Sequence, residues 1–275
     1  MDRTTIDTPS DQLDPATCQF YLRTLEILDA AQIPYCVAGA YALAAYTRIV
    51  RHTKDLDVFL RRKDLARARR AFEAAGFRTE ATHPHWLAKV FADDAAADAF
   101  VDLIFRAASG IWEVDDEWVN HTELGPVVGR TAPLIPPEEL IWSKAMVMER
   151  NRFDGADIAH VIQARGKQFD WERLLRRARG HEGILLGHLA FYQYIYPCDA
   201  KNLPDRVMQE LFRRMREARA HPPQSADGGL VCRGTVVSWD QYLFDINEHG
   251  MLDGRLAPWG NLTPDEIEQW TEADK

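Results

Sequence analysis

The chain has 275 residues, 46% of them apolar, and its 33 basic and 42 acidic side chains give a formal net charge of −9. That length carries one large domain or two modest ones around a well-buried core, and the acidic balance argues against general nucleic-acid binding, which draws on a basic surface. No run of about 18 apolar residues is available to cross a bilayer, the acidic N-terminus does not read as a secretory leader, and Cys18, Cys36, Cys198 and Cys232 are too scattered for a zinc site and suit a reducing, cytoplasmic setting.

Residues 1–13 read as a disordered tail. Asp14-Pro15 supplies an N-cap and a first-turn proline for a helix running to about residue 31, with Phe20, Leu25 and Leu28 on its apolar stripe. Residues 33–38 read as a first strand, ended by Gly39, and 40–46 as a short alanine-rich helix. After a loop over 48–52 comes a second strand over 53–60. A helix over 64–75 puts Leu65, Ala68 and Phe72 on one side and closes at Gly76 in the C′ position. Residues 77–82, 85–91 and 99–105 read as strands, with a hairpin or exposed loop over 93–98. Two shorter strands follow at 123–128 and 131–134.

The pattern changes at Pro136. Pro136-Pro137-Glu138-Glu139 is a helix start, and helices are expected over 138–149, 155–164, 171–179, 184–194 and 204–218. A turn-rich break covers 221–229, and a last helix runs from about 265 to 271 after Thr263-Pro264. The fold class expected is α+β: a mixed β-sheet flanked by helices, followed by a helical C-terminal region. The boundaries are a tail at 1–13, a first domain at 14–135, and a mostly helical region at 136–275 packed on it.

Three acids stand out. Asp55 and Asp57, separated by Leu56, fall on the second strand, where side chains alternate faces, so the pair points one way and Leu56, Val58 and Leu60 the other. Like charges side by side on a buried strand repel and are costly to desolvate. Asp102 is a lone acid inside the apolar run 99–105, and the simplest arrangement sets it beside Asp55 and Asp57 on a neighbouring strand. Three carboxylates in one place form an all-oxygen site suited to Mg²⁺, and two such ions about 3.5–4 Å apart clamp a phosphoryl group during in-line displacement.

Gly39-Ala40, then Asp55-Leu56-Asp57, then Asp102 on a later strand resembles the nucleotidyltransferase fold of the polymerase-beta superfamily. The Thr53-Lys-Asp-Leu-Asp spelling is most similar to small bacterial nucleotidyltransferases, the group of AbiEii-type toxins and aminoglycoside-modifying relatives. The resemblance covers residues 17–162. It implies a catalytic domain at 14–135 that transfers a nucleoside monophosphate from an NTP such as ATP to an acceptor hydroxyl, releasing pyrophosphate. On this resemblance Asp55, Asp57 and Asp102 are the catalytic residues and the ligands of two Mg²⁺ ions. Asp102 also draws the proton from the acceptor, and Gly39 and Ala40 offer backbone N–H groups to the phosphates. Ala40 departs from the family turn, usually Gly-Gly or Gly-Ser, and has no hydroxyl to offer. That departure keeps an alternative open: a catalytically weak or inactive interaction module, such as a toxin–antitoxin component.

Other positions carry two readings each. Lys54 and the neighbouring Arg48, Arg51, Arg61, Arg62, Lys63, Arg67, Arg69 and Arg70 read as a solvated helix face plus triphosphate contacts, or alternatively as a cluster that meets a nucleic acid. Lys144 lies beside the stripe of Ile141, Ala145 and Met148 and either snorkels to the surface or faces the triphosphate. Asp154 and Asp157 suit an N-cap and an early helical position; alternatively Asp157 faces the nucleotide with Lys144. His188 reads as a packed core histidine, and Phe191, Tyr192, Tyr194 and Tyr196 as helix packing. The acceptor stays open between a small molecule, a protein hydroxyl and a tRNA 3′ end, with no membrane partner.

Overall fold

The computed structural model describes residues 9, 13–51, 53–92, 99–222 and 228–273. The tail expected over 1–13 falls mostly outside these residues, as do the loop over 93–98 and the middle of the break over 221–229. The chain divides into two units: Met1–Ala108 with Trp112–Pro136, and Ser109–Ile111 with Pro137–Lys275.

In the first unit, helix α1 (Pro15–Ala30) starts where Asp14 accepts a hydrogen bond from the Thr17 amide at 2.9 Å, and it buries Phe20, Tyr21, Thr24, Leu25 and Leu28. The remaining elements are β1 (Tyr35–Val37), α2 (Gly39–Thr47), β2 (Asp55–Leu60), α3 (Arg62–Ala74), β3 (Arg78–His83), β4 (Leu87–Phe91), β5 (Phe100–Ile104), α4 (Asp116–Asn120), β6 (Glu123–Val127) and β7 (Arg130–Leu134). The strands form one mixed seven-stranded sheet in the order β3-β4-β5-β2-β1-β7-β6. β2 runs parallel to β5 and β1 parallel to β7, while the other neighbours are antiparallel.

The alternation expected of β2 holds across three adjacent strands. Ala88, Val90, Leu56, Val58, Val101 and Leu103 are fully enclosed, while Lys89, Asp55, Asp57 and Asp102 are half-buried on the opposite face. Helix α4 has no counterpart among the sequence expectations. It is a single turn-and-a-half, nucleated by Asp115, whose carboxylate accepts from the amides of Glu117 at 2.9 Å and Trp118 at 3.3 Å, and anchored by the enclosed Trp118. One apolar anchor is too few for a periodic signal.

The second unit contains α5 (Pro137–Ala145), α6 (Gly155–Arg165), α7 (Trp171–Arg177), α8 (Glu182–Ile195), α9 (Asp205–Ala220), β8 (Val231–Cys232), α10 (Leu243–Asn247), β9 (Leu252–Asp253) and α11 (Pro264–Ala273). No helix of the described residues is long and apolar enough to cross a membrane. Helix α5 stops four residues before the expected end. Met148 pairs with Phe153 in an antiparallel bridge, and the Glu149 carboxylate accepts from the Ser238 hydroxyl and the Trp239 amide. The Met148 amide donates to the Val237 carbonyl at 3.1 Å, so a distant segment takes a backbone donor that one more helical turn would have used. Of the four aromatics expected to pack, Tyr192 is enclosed, but Phe191 and Tyr194 are exposed. His188 is a core residue as expected: its Nε2 lies 3.0 Å from the Ala145 carbonyl, and burial holds the imidazole below its usual pKa.

Helices α5 and α7 are tied by buried charge. Glu138 accepts from Arg173 and from the Asp170 amide at 2.6 Å, and Glu139 Oε1 lies 3.3 Å from Arg173 and 3.2 Å from Arg177. Glu139 is fully enclosed, and its Oε2 has no hydrogen-bond partner among the described residues. Burial pushes this carboxyl up to about 7, outweighing the pull of Arg173 and Arg177. A raised native pKa means that the folded chain holds a proton the unfolded chain has lost, so stability falls as pH rises from 4.5 to about 7. Glu139→Gln removes that loss. Urea unfolding across this range should show the variant gaining on the wild type as pH rises, by on the order of 3 kcal/mol. A variant that instead loses ground with pH would mean that the arginine pairing dominates.

Candidate active site

The sheet register builds the site. β2 and β5 are parallel neighbours with Asp57 opposite Asp102, and Asp55 lies two residues back on the same face of β2. Carboxylate oxygens of Asp55, Asp57 and Asp102 all lie within 4.8 Å of one another. Apolar residues on the other face of both strands fix this register, because a one-residue slip would turn Val58 and Leu103 to the acidic side.

Each acid has its own surroundings. The Thr53 hydroxyl donates to Asp55 Oδ1 at 2.5 Å. Asp57 sits against the start of α2, where a Cβ at Gly39 would stand 1.9 Å from Asp57 Oδ2. Gly39 also has φ +55°, in the left-handed region that favours glycine. The Ala38 amide donates to the Asp57 carbonyl at 2.9 Å, locking the turn to β2. No side chain caps the N-terminus of α2, so its first amides, including that of Ala40, have no side-chain cap where the helix begins against Asp57.

Asp102 is bonded to Lys89, whose Nζ donates to Oδ1 at 2.8 Å. Burial pushes the Asp102 carboxyl above its ordinary range; the Lys89 bond opposes this and the Asp55 charge adds to it. The charge of these acids reaches Tyr21 and Tyr41. Burial raises both phenols, and nearby Asp55 raises them further, joined at Tyr21 by Asp102 and Asp57. The Tyr21 hydroxyl donates to the Lys54 carbonyl at 2.8 Å, while the enclosed Tyr41 hydroxyl has no hydrogen-bond partner among the described residues. Three half-buried carboxylates forming an all-oxygen donor set fit a hard divalent cation such as Mg²⁺.

Lys54 is exposed at the bend before β2. Several of its basic neighbours are taken by local partners: Arg61 by Asp64 and Asp116, Arg67 by Asp64, and Arg69 by Thr79. Lys144 and Asp157 belong to the second unit and meet each other there. Lys144 Nζ lies 2.8 Å from Asp154 and 2.9 Å from Asp157, so it does not snorkel to solvent. Asp154 occupies the N-cap position of α6 without a side-chain cap bond, because its carboxylate turns to Lys144. Burial would raise Asp154, but Lys144 and Arg152 hold its carboxyl below the usual range.

Sequence reasoning missed Lys89, Thr53, Tyr21 and Tyr41. Lys89 carried a faint signal, as a lone cation between Ala88 and Val90 in an apolar run. Its partner was hidden, because the pairing of β4 with β5 is set by tertiary register.

The profile of a family described as "Uncharacterised nucleotidyltransferase" matches residues 21–186, more than half of the chain, a span that holds Gly39, all three aspartates, Lys144 and Asp157. Among solved structures, the antibiotic-resistance factor ANT(2'')-Ia overlaps 65% of this chain and 100% of its own at 17% identity and a TM-score of 0.42. The lincosamide antibiotic adenylyltransferase LnuA overlaps 54% of this chain and 96% of its own at 13% identity and a TM-score of 0.37. JHP933 from Helicobacter pylori overlaps 76% and 99% at 13% identity and a TM-score of 0.35. Overlaps this loose assign no substrate. No protein of curated function matches the sequence.

Gly39→Ala should be costly in two ways. Strain at a left-handed position costs about 1–3 kcal/mol, and the new methyl must drive the Asp57 carboxylate out of the cluster. Urea unfolding should show the loss, and Mn²⁺ titration should show weakened binding. Unchanged stability and unchanged Mn²⁺ affinity would contradict this account of the turn.

Proposed function

The chain belongs to the family of uncharacterised nucleotidyltransferases, and on that footing we propose that it moves a nucleoside monophosphate from an NTP to an acceptor hydroxyl in a Mg²⁺-dependent reaction that releases pyrophosphate. The observation that carries this reading is the convergence of Asp55, Asp57 and Asp102, with oxygens within 4.8 Å of one another.

In the proposed reaction the acceptor oxygen forms a bond to the α-phosphorus. The bond from that phosphorus to the bridging oxygen breaks, and pyrophosphate leaves with the electron pair. Mg²⁺, when bound, supplies Lewis-acid contact to the phosphate oxygens and the leaving oxygen. Asp55 and Asp57 hold the cation side of the triphosphate. Asp102 takes the acceptor proton, the role the family resemblance implies for it. The amides of Gly39 and Ala40 at the start of α2 donate to the phosphates, which explains how the turn works without a serine hydroxyl. Lys54 meets the outer phosphates from its exposed bend. Lys144 and Asp157 are assigned to the nucleotide by the family resemblance. The net charge of −9 favours a small molecule or a protein as acceptor over a polyanion.

Labelled NTPs incubated with the protein, Mg²⁺ and cell extract should label one metabolite or macromolecule and release pyrophosphate. Asp55→Asn and Asp102→Asn should each cut the rate by at least about 10²-fold; Asp55→Asn relieves charge repulsion and should not lower the melting temperature, while Asp102→Asn also loses the ion pair with Lys89 and should lower it by no more than a few degrees. Full turnover in both variants would refute the assignment. NTP-dependent stabilisation with no pyrophosphate release in the wild type would favour the interaction-module alternative.

A further inference from the structure

Lys89 adds something that the three carboxylates alone do not explain. It is the register partner of Asp102 across the β4–β5 pair. Its Nζ lies 2.8 Å from Asp102 Oδ1 and 3.5 Å from the centre of the Phe100 ring. Phe100 and Asp102 are two residues apart on β5 and share a face. The ammonium is therefore fixed by an aromatic face and a carboxylate on one strand, and the lysine and aspartate side chains are only 19% and 13% exposed. A cation–π contact and a charge-assisted hydrogen bond made together hold the group in one position. One oxygen of Asp102 is engaged, and a positive charge already stands at that edge of the cluster.

We propose that Lys89 is a built-in counter-ion that orders cation entry: the nucleotide-free protein takes one divalent ion, on Asp55 and Asp57, and a second ion at Asp102 enters only with the negative charge of the triphosphate. This rests on reading the aspartates as a cation site. The physical reason is simple repulsion. A divalent ion held by Asp102 would stand a few ångströms from a fixed ammonium in a half-buried setting, where charges are poorly screened. The triphosphate brings enough negative charge to offset that repulsion. Lys89 is thus a positioning residue, acting through Asp102.

Mn²⁺ binding to the full-length chain, followed by electron paramagnetic resonance without nucleotide, tests this. The wild type should bind one ion. Lys89→Met should bind two, with the first at least about tenfold tighter, as expected from deleting a charge this close. Lys89→Arg, which keeps the charge, should behave as the wild type. Lys89→Gln provides a second neutral variant if methionine unsettles β4, and thermal melting checks that each variant is folded. Two ions on the wild type, or unchanged or weaker binding in both neutral variants, would overturn the counter-ion role. Asp57→Asn separates the two claims. If it abolishes Mn²⁺ binding while the Lys89 variants do nothing, the cation site stands and the counter-ion falls. If Asp57→Asn binds Mn²⁺ as tightly as the wild type does, the site itself is misassigned.

Discussion

Three carboxylates are held together against their own repulsion by the register of two parallel strands. Val58 faces the core opposite Leu103, and Asp57 faces the other side opposite Asp102. The apolar face fixes the strands, and the fixed strands force the acids together. Apolar burial is worth roughly 25 cal/mol per Å², so enclosed side chains on β2, β4 and β5 readily sustain an arrangement that electrostatics alone would disperse. The cluster stores a demand for positive charge, part of which Lys89 meets.

Around that constraint the first unit is shaped for close approach. The left-handed turn at Gly39 lets α2 begin directly against Asp57, with nothing larger than hydrogen between backbone and carboxylate. An uncapped helix start and an acidic cluster then lie side by side, one suited to anions and the other to cations. A metal–triphosphate complex carries both charges. The second unit handles charge differently: Lys144 with Asp154 and Asp157, and Glu138 and Glu139 with Arg173 and Arg177, are internal ion-pair networks. Pairing offsets only part of the desolvation such networks cost, as the raised Glu139 carboxyl shows.

Much of this was legible in the sequence, for local reasons. Period-two alternation put Asp55 and Asp57 on one face, and the lone acid in a run of apolar residues marked Asp102. The mixed sheet followed by helices was readable from the change in pattern at Pro136. What was not legible depends on partners distant in the chain. Lys89 meets Asp102 only because β4 pairs with β5. Helix α5 stops early as the Met148 amide turns to the distant Val237 carbonyl, and Asp154 leaves its capping role because Lys144 is near. Tyr194 and Phe191 look like packing residues by type, yet the helix turns them to solvent. Periodicity assigns a face to a side chain and leaves open what will cover it.

The most direct measurement is a crystal structure of the protein soaked in Mn²⁺ with a non-hydrolysable NTP, phased to locate manganese by anomalous scattering. The account predicts manganese peaks bonded to oxygens of Asp55, Asp57 and Asp102, about 2.0–2.2 Å away as for other small hard cations. Ordered nucleotide with no manganese within reach of these three carboxylates would contradict it.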